Sequence, residues 1–170
     1  MKRVAERPSF RTTGIVELRD LEALGLLPPP ERLKKGPVAV LECPEEIPCN
    51  ICVPHCPVKA IEMETIISLP KVRWDVCTGC GVCVSVCPGL ATFVVDLSKD
   101  EWDYVTLPHE MLPAPRVGDE VVLLNRRGER VGRGTVVRVW ERNKTYVVTV
   151  RVPKGLGMEV RAIWVEKRAP

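Results

Sequence analysis

The stretch that decides the fold of the central part of this chain is Cys77-Thr78-Gly79-Cys80-Gly81-Val82-Cys83-Val84-Ser85-Val86-Cys87-Pro88. Its spacing is C-x2-C-x2-C-x3-C-P, so four thiols lie in one short run that a proline closes. Three thiols separated by two residues can turn toward one point on a tight loop, whereas the fourth, followed by Pro88, points away from that loop. The run therefore predicts a metal centre built from several thiols, with one ligand that belongs to a second site.

An earlier run, Cys43-x5-Cys49-x2-Cys52-x3-Cys56-Pro57, repeats this pattern. The positions that match at a constant offset of 31 residues are Cys49/Cys80, Cys52/Cys83, Cys56/Cys87, Pro57/Pro88 and Ala60/Ala91. Cys43 and Cys77 are offset by 34 instead, so the first run carries three extra residues between its first and second ligands. A short β-like segment precedes each run, at 38–41 and at 72–74. Two similar halves predict a domain with pseudo-two-fold symmetry.

We expect the eight thiols to hold two [4Fe–4S] clusters, with the fourth ligand of each run crossing to the other cluster. The expected ligands of cluster one are Cys43, Cys49, Cys52 and Cys87. The expected ligands of cluster two are Cys77, Cys80, Cys83 and Cys56. This exchange would lock the two halves together. Pro57 and Pro88 turn the chain after each fourth ligand, and Gly79 and Gly81 let backbone N–H groups approach the sulfur atoms.

Two other metal centres compete with this interpretation. Structural zinc sites use two cysteine pairs separated by a longer loop, whereas each run here is a compact quartet closed by a proline. A single cube beside a degraded or three-iron site is the second alternative, and the five-residue gap after Cys43 is the departure that favours it.

The two runs resemble the bacterial-type two-[4Fe–4S] ferredoxin family over residues 37–98, which implies an electron carrier. A narrower likeness covers residues 36–50 and the lead-in 24–28. These segments resemble the ferredoxin-like subunit of multisubunit, FAD-dependent (dye-linked) amino-acid dehydrogenases of the proline, hydroxyproline or opine type. That resemblance implies flavoprotein partner subunits within a hetero-oligomer.

The remainder of the chain divides by composition. Residues 1–36 form an N-terminal arm, in which leucines at helical spacing predict a helix over 17–24 and a further turn over 31–35. Residues 37–98 are the two-cluster ferredoxin domain, and residues 99–114 are a connector. Residues 115–170 predict short antiparallel strands over 120–124, 134–140, 145–152 and 160–165, enough for a small all-β barrel of SH3-like type. The expected fold class is therefore α+β.

Charge is distributed unevenly between these parts. Residues 1–114 carry 12 basic and 16 acidic side chains, whereas residues 115–170 carry 13 basic and 6 acidic ones, a net charge of +7. So basic a unit fits docking to an acidic partner subunit, binding of nucleic acid, or plain solvation. Aromatic side chains that could stack on bases are few in this unit, namely Trp140, Tyr146 and Trp164.

The cellular setting follows from the thiols and from the start of the chain. Residues 1–8 are charged with no apolar run behind them, and no apolar stretch is long enough to span a membrane. We therefore expect a cytoplasmic protein whose thiols stay reduced, with no membrane span. Glutamine is absent and asparagine occurs three times, which suits a thermophilic source as well as a biased genomic composition.

The sequence contains no nucleophile–base pair and no spare cysteine, so we expect a non-catalytic chain that relays electrons. The arm and the barrel exceed what a free carrier needs, which favours an electron-transfer subunit of a flavin-dependent amino-acid or amine dehydrogenase complex. The alternatives are a ferredoxin-like subunit of a hydrogenase or ketoacid oxidoreductase, and a zinc-containing nucleic-acid-binding module. His55 could modulate cluster two, and Trp74 could shield a cluster or lie on an electron path, but we favour a plain loop role for His55 and a packing role for Trp74.

Overall fold

The computed structural model of the protein describes residues 8–166, so the first seven residues of the arm and residues 167–170 lie outside it. Its helices are short: α1 (Phe10–Thr13), α2 (Leu18–Ala23), α3 (Pro30–Leu33), α4 (Cys52–His55) and α5 (Val82–Val86). Its strands are β1 (Val38–Leu41), β2 (Ile61–Glu62), β3 (Lys71–Val72), β4 (Thr92–Asp96), β5 (Trp102–His109), β6 (Glu120–Leu124), β7 (Arg130–Arg142), β8 (Thr145–Pro153) and β9 (Ala162–Trp164). Within residues 8–166, no helix has the length and apolar character needed to cross a membrane.

Seven of these strands form one antiparallel sheet in the order β1-β4-β5-β8-β7-β6-β9, and β2 pairs with β3 in a separate ribbon. Along β5, the buried residues alternate with more exposed ones, as expected for a strand with one face on a core. The largest apolar cluster lies against that face, and its buried members are Phe93, Val105, Leu107, Val121, Leu123, Val136, Val148, Val150, Val152, Val160, Ile163 and Val165.

Strand β5 lies inside residues 99–114, the range for which the sequence predicts a connector. It pairs with β4 on one side and with β8 on the other, so the sheet continues from the cysteine-bearing segment into the C-terminal part. The apolar alternation of this strand is hidden because Asp103 and His109 occupy buried positions. One oxygen of the Asp103 carboxylate accepts from the backbone N–H groups of Gly155 and Gly157 at 2.8 and 3.2 Å, and the other forms an ion pair with Lys154 at 2.9 Å.

The strands predicted for residues 115–170 are present as β6 to β9, but their arrangement differs from a small closed barrel. Among the described residues, the ladder of strand pairs does not close, and β1 and β9 are its two edges. The physical reason is that the free side of β8 is taken by β5, which pairs with it over eight residues, Trp102–His109. The C-terminal strands therefore share their sheet with the cysteine-bearing segment.

The described part of the arm packs onto this sheet. Helices α2 and α3 lie within the predicted ranges 17–24 and 31–35, apart from Pro30, which starts α3 one residue earlier. The backbone N–H and the hydroxyl of Ser9 donate to Asp20 at 2.8 and 2.7 Å, which joins α1 to α2. Glu17 forms an ion pair with Arg127 in the turn between β6 and β7. The arm is thus attached to the C-terminal strands.

Candidate iron–sulfur site

The fourth cysteine of each run occupies the same local geometry. Cys56 ends α4 with φ −71° and ψ 112°, and Cys87 ends α5 with φ −73° and ψ 112°. The N–H of Ala60 donates to the Cys56 sulfur at 3.2 Å, and that of Ala91 donates to the Cys87 sulfur at 3.4 Å. The repeated alanine in the sequence is therefore a donor to the fourth thiol in each half.

The backbone around the two runs follows the same offset of 31 residues. The N–H of Glu42 donates to the carbonyl of Ala91 at 2.8 Å, and the N–H of Arg73 donates to the carbonyl of Ala60 at 2.7 Å. These two backbone bonds are therefore equivalent in the two halves. The corresponding strand pairs are Leu41↔Thr92 and Val72↔Ile61.

The halves differ at their first ligands. The first run has its three extra residues between Cys43 and Cys49, where residues 45–48 are exposed. The second half has three extra residues, 74–76, placed before Cys77 instead, and they form a turn in which the Cys77 N–H donates to the Arg73 carbonyl at 3.1 Å. The three extra residues between Cys43 and Cys49 are therefore matched by a three-residue turn just before Cys77.

A small cavity gathers the thiols predicted for cluster two. Its thiol lining consists of Cys56, Cys77, Cys80 and Cys83. Cys56 comes from the first run, so the structure brings it to the three leading cysteines of the second run. The rest of the lining is mainly apolar and includes Ala39, Ala60, Ile61 and Val94.

The charges that raise the pKa values of the buried thiols indicate a second group that also combines the two runs. Burial raises the pKa of Cys52 to about 11, and the next contributions that raise it come from Cys87, Cys49 and Cys43. Burial also raises the pKa of Cys43, and the charges of Cys87 and Cys49 raise it further. Cys87 of the second run thus lies among the three leading cysteines of the first.

Cys83 is the most deeply buried of the thiols predicted for cluster two. Burial, and after it the charges of Cys77 and Cys80, raise its pKa to about 12. Smaller contributions come from Cys52 and Cys56, so the two thiol groups are close enough to influence each other. Thiols with raised pKa values are protonated at neutral pH, and metal binding must release those protons.

The donor set consists of thiols alone, and it fits iron–sulfur cubes, in which four thiolates each bind a different iron atom. Within residues 8–166, no three His, Cys, Asp or Glu side chains are placed to hold a single metal ion. The N–H of Ala39 donates to the Cys77 sulfur at 3.4 Å, a third bond of the kind that tunes a cluster's reduction potential.

The two glycines of the second run have conformational roles. Gly79 and Gly81 have φ +66° and +83°, the left-handed region that favours glycine. A Cβ on Gly79 would lie 2.6–2.8 Å from side-chain and backbone atoms of Pro37. The N–H···S bonds of the two runs are donated by Ala39, Ala60 and Ala91.

We expect Gly79→Ala to destabilise the protein by about 3 kcal/mol and to lower its iron content, because the new methyl group meets the backbone of Pro37. Gly14→Ala is the matched control, since Gly14 has φ +72° and a methyl group there would have no neighbouring atom within 4 Å. That control should cost about 1 kcal/mol and leave iron unchanged. Thermal unfolding and iron analysis of both variants test the prediction, and equal losses would contradict it.

Arg32 of the arm is a residue of the site that sequence patterns do not reveal. Its guanidinium donates to four carbonyls: Trp74 at 2.6 Å, Cys77 at 2.8 Å, Pro37 at 3.0 Å and Gly36 at 3.1 Å. It therefore fixes the turn that carries the first ligand of the second run. A cation here also favours the reduced, more negative state of a cluster bound at Cys77. No local pattern in the arm signals this contact.

A buried ion triad joins the first run to the C-terminal strands. Glu42, next to Cys43, accepts bonds from Arg126 at 2.6 and 2.9 Å and from Arg161 at 2.6 Å. Burial works to raise the pKa of Glu42, but Arg161 and Arg126 outweigh it and hold the pKa below its ordinary value. Arg161 also stacks on Phe93, 5.0 Å from the ring centre. This link, too, has no signal in the sequence around any of its members.

His55 and Trp74, the other two candidate residues from the sequence, make local structural contacts. His55 contacts the carbonyl of Ile51 through Nδ1 at 2.9 Å, within its own turn. Trp74 packs against the buried cluster of Val38, Val40 and Val95. Both observations agree with the loop and packing interpretations.

Comparisons with known proteins show what the cysteine-bearing segment is similar to. Residues 47–91 match the 4Fe–4S dicluster domain family. The chain is similar to the ferredoxin-type protein NapF of Haemophilus influenzae, with 38% identity over 58 residues. That alignment covers 32% of this chain and 33% of the relative, so the similarity spans about a third of each protein. No solved structure matches the chain. Residues 47–91 are thus similar to 4Fe–4S dicluster domains, and this segment of the chain is of the iron–sulfur, ferredoxin type.

Proposed function

We propose that this chain is the electron-transfer subunit of a flavin-dependent dehydrogenase complex that oxidises an amino acid or amine. The observation that carries its redox role is the meeting of Cys56 with Cys77, Cys80 and Cys83 at one cavity. Four thiols at an apolar cavity suit a cofactor that changes charge without exchanging ligands. The ferredoxin-type match over residues 47–91 supports the same role.

Two [4Fe–4S] clusters with crossed ligands fit the thiol groups best. Cluster one would be held by Cys43, Cys49, Cys52 and Cys87. Cluster two would be held by Cys77, Cys80, Cys83 and Cys56. Each cube, when bound, supplies reversible one-electron chemistry. The chain's own part is to bury the thiols, to donate N–H groups to sulfur and to keep water from the apolar lining.

The parts of the chain outside the dicluster domain support a subunit rather than a free carrier. The arm contributes Arg32 to the second run, and the C-terminal strands contribute Arg126 and Arg161 to the residue beside Cys43. These parts also extend the surface well beyond residues 47–91. We propose that this added surface contacts flavoprotein subunits in a hetero-oligomer.

Anaerobic purification of the native protein tests the proposal. We expect the preparation to be brown, to bleach on reduction, and to contain a co-purifying chain with bound FAD. Identification of the co-purifying chains by mass spectrometry is the readout. A hydrogenase or ketoacid oxidoreductase subunit in place of the flavoprotein would contradict the complex we propose. A colourless, zinc-loaded protein would contradict the redox role itself.

A further inference from the structure

A groove of about 340 Å³ lies beside the loop that carries the second cysteine run. Gly79, between Cys77 and Cys80, lines one part of it, strands β4, β5, β7 and β8 supply most of the rest, and Pro37 and Lys99 complete it. Cys80 is the exposed thiol among the eight cysteines. The groove therefore gives a partner molecule close access to the second thiol group.

The floor of the groove is the face of the sheet opposite the large apolar core. Thr106 of β5 and Thr149 of β8 are direct cross-strand partners, and their hydroxyls are hydrogen-bonded at 2.9 Å. Tyr104 stands on the same face, two residues before Thr106. Beyond it, Arg151 stacks on Trp102, 4.8 Å from the ring centre, and the Trp102 side chain is exposed. Tyrosine, tryptophan and arginine are the side chains enriched at protein interfaces.

A β-bulge in β7 directs two consecutive residues into this groove. The pairing between β7 and β8 shifts between Val136 and Arg138, so Val137 is an extra residue on its strand. Both Val137 and Arg138 line the groove, and both are exposed. Bulges of this kind redirect side chains beside functional sites.

The charge of the groove is positive. Lys99 and Arg138 line it, and Arg151 adjoins it. Among the described residues, Asp96 supplies the one carboxylate of the lining, and it already accepts hydrogen bonds from the N–H and hydroxyl of Ser98 at 3.0 and 2.6 Å. Two cations, Lys99 and Arg138, against the one carboxylate of Asp96 leave the lining with a net charge of +1, which favours a ligand that brings negative charge.

We propose that this groove seats an acidic segment of the redox partner, an acidic flavoprotein, next to cluster two. This inference rests on the proposed electron-transfer function and assigns the place at which the partner exchanges electrons with the chain. In each encounter one electron passes between the partner's flavin and the cube. One centre loses the electron that the other gains, and no bond is formed or broken.

Charge reversal at Arg138 tests the groove. The probe is oxidised flavodoxin, a small acidic FMN protein, mixed in a stopped-flow instrument with the dithionite-reduced holoprotein. We expect Arg138→Glu to lower the second-order rate constant about tenfold at low salt, and high salt to reduce that difference. Arg138→Lys should keep most of the rate. Arg130→Glu, with an equal charge change at an exposed position of the same strand outside the groove, should change it by less than about twofold.

The controls separate this inference from the function on which it rests. Iron content and thermal unfolding of each variant show that the protein is intact, and menadione, a small neutral acceptor, should oxidise every variant at one rate. Equal effects of Arg138→Glu and Arg130→Glu would overturn the groove and leave the electron-transfer function standing. Failure of wild-type protein to reduce menadione would overturn that function. Weaker binding of a labelled single-stranded oligonucleotide by Arg138→Glu, with an unchanged flavodoxin rate, would assign the groove to nucleic acid instead.

Discussion

Removing Cys56 should eliminate the cluster held by the second run and leave the cluster of the first run in place. The reason is that Cys56 lines the cavity of Cys77, Cys80 and Cys83, although it belongs to the other run in sequence. Alanine removes the ligand atom altogether, so the iron content of Cys56→Ala should fall by about half. Cys87→Ala should have the mirror effect, because Cys87 neighbours Cys43 and Cys52.

Two further variants make this result decisive. Cys80→Ala and Cys49→Ala each remove a leading ligand, which belongs to the cluster of its own run whether or not the fourth ligands cross. If the ligands cross, the electron paramagnetic resonance spectrum of reduced Cys56→Ala should match that of Cys80→Ala. The spectrum of Cys87→Ala should then match that of Cys49→Ala. The opposite pairing, Cys56→Ala with Cys49→Ala, would show that each run holds its own cluster.

Glu42→Gln should cause a large loss of stability. The Glu42 side chain is 7% exposed, and its partners Arg126 and Arg161 are 10% and 4% exposed. Glutamine keeps the shape but removes the carboxylate to which both buried guanidinium groups are hydrogen-bonded. Breaking a buried ion pair in this way costs about 3–5 kcal/mol, which lowers the Tm of a protein of this size by roughly 10 °C.

A matched surface variant supplies the control for this prediction. Glu64 pairs with Lys71 at 3.1 Å, and both side chains are more than 70% exposed. Glu64→Gln should therefore change stability by less than about 1 kcal/mol. Thermal unfolding of both holoproteins under anaerobic conditions is the measurement. The triad would have no structural importance if Glu42→Gln and Glu64→Gln unfolded at the same temperature.

Local sequence patterns predict the local structure well. Strands β1 and β6 occupy the predicted residues 38–41 and 120–124, and α2 lies within 17–24. Cys56 and Cys87, which the 31-residue repeat relates, have nearly the same backbone angles. Periodicity and motif spacing are properties of neighbouring residues, so a single sequence records them directly.

Long-range partners are not predictable in the same way. Glu42 is 84 residues from Arg126 and 119 from Arg161, and nothing near any of the three indicates the contact. Likewise, Asp103 and His109 conceal the apolar alternation of β5, so the sequence predicts a connector where this strand continues the sheet. A consequence is that residues 115–170 cannot be removed as a separate unit, because β8 pairs with β5 along its length.

The central claim, that this chain carries two [4Fe–4S] clusters, is tested most directly by counting iron and sulfide in the anaerobically purified protein. Native mass spectrometry should show one chain with two cubes, which corresponds to eight irons and eight sulfides on its eight cysteines. A mass that corresponds to one cube, to a three-iron cluster, or to bound zinc would contradict the account.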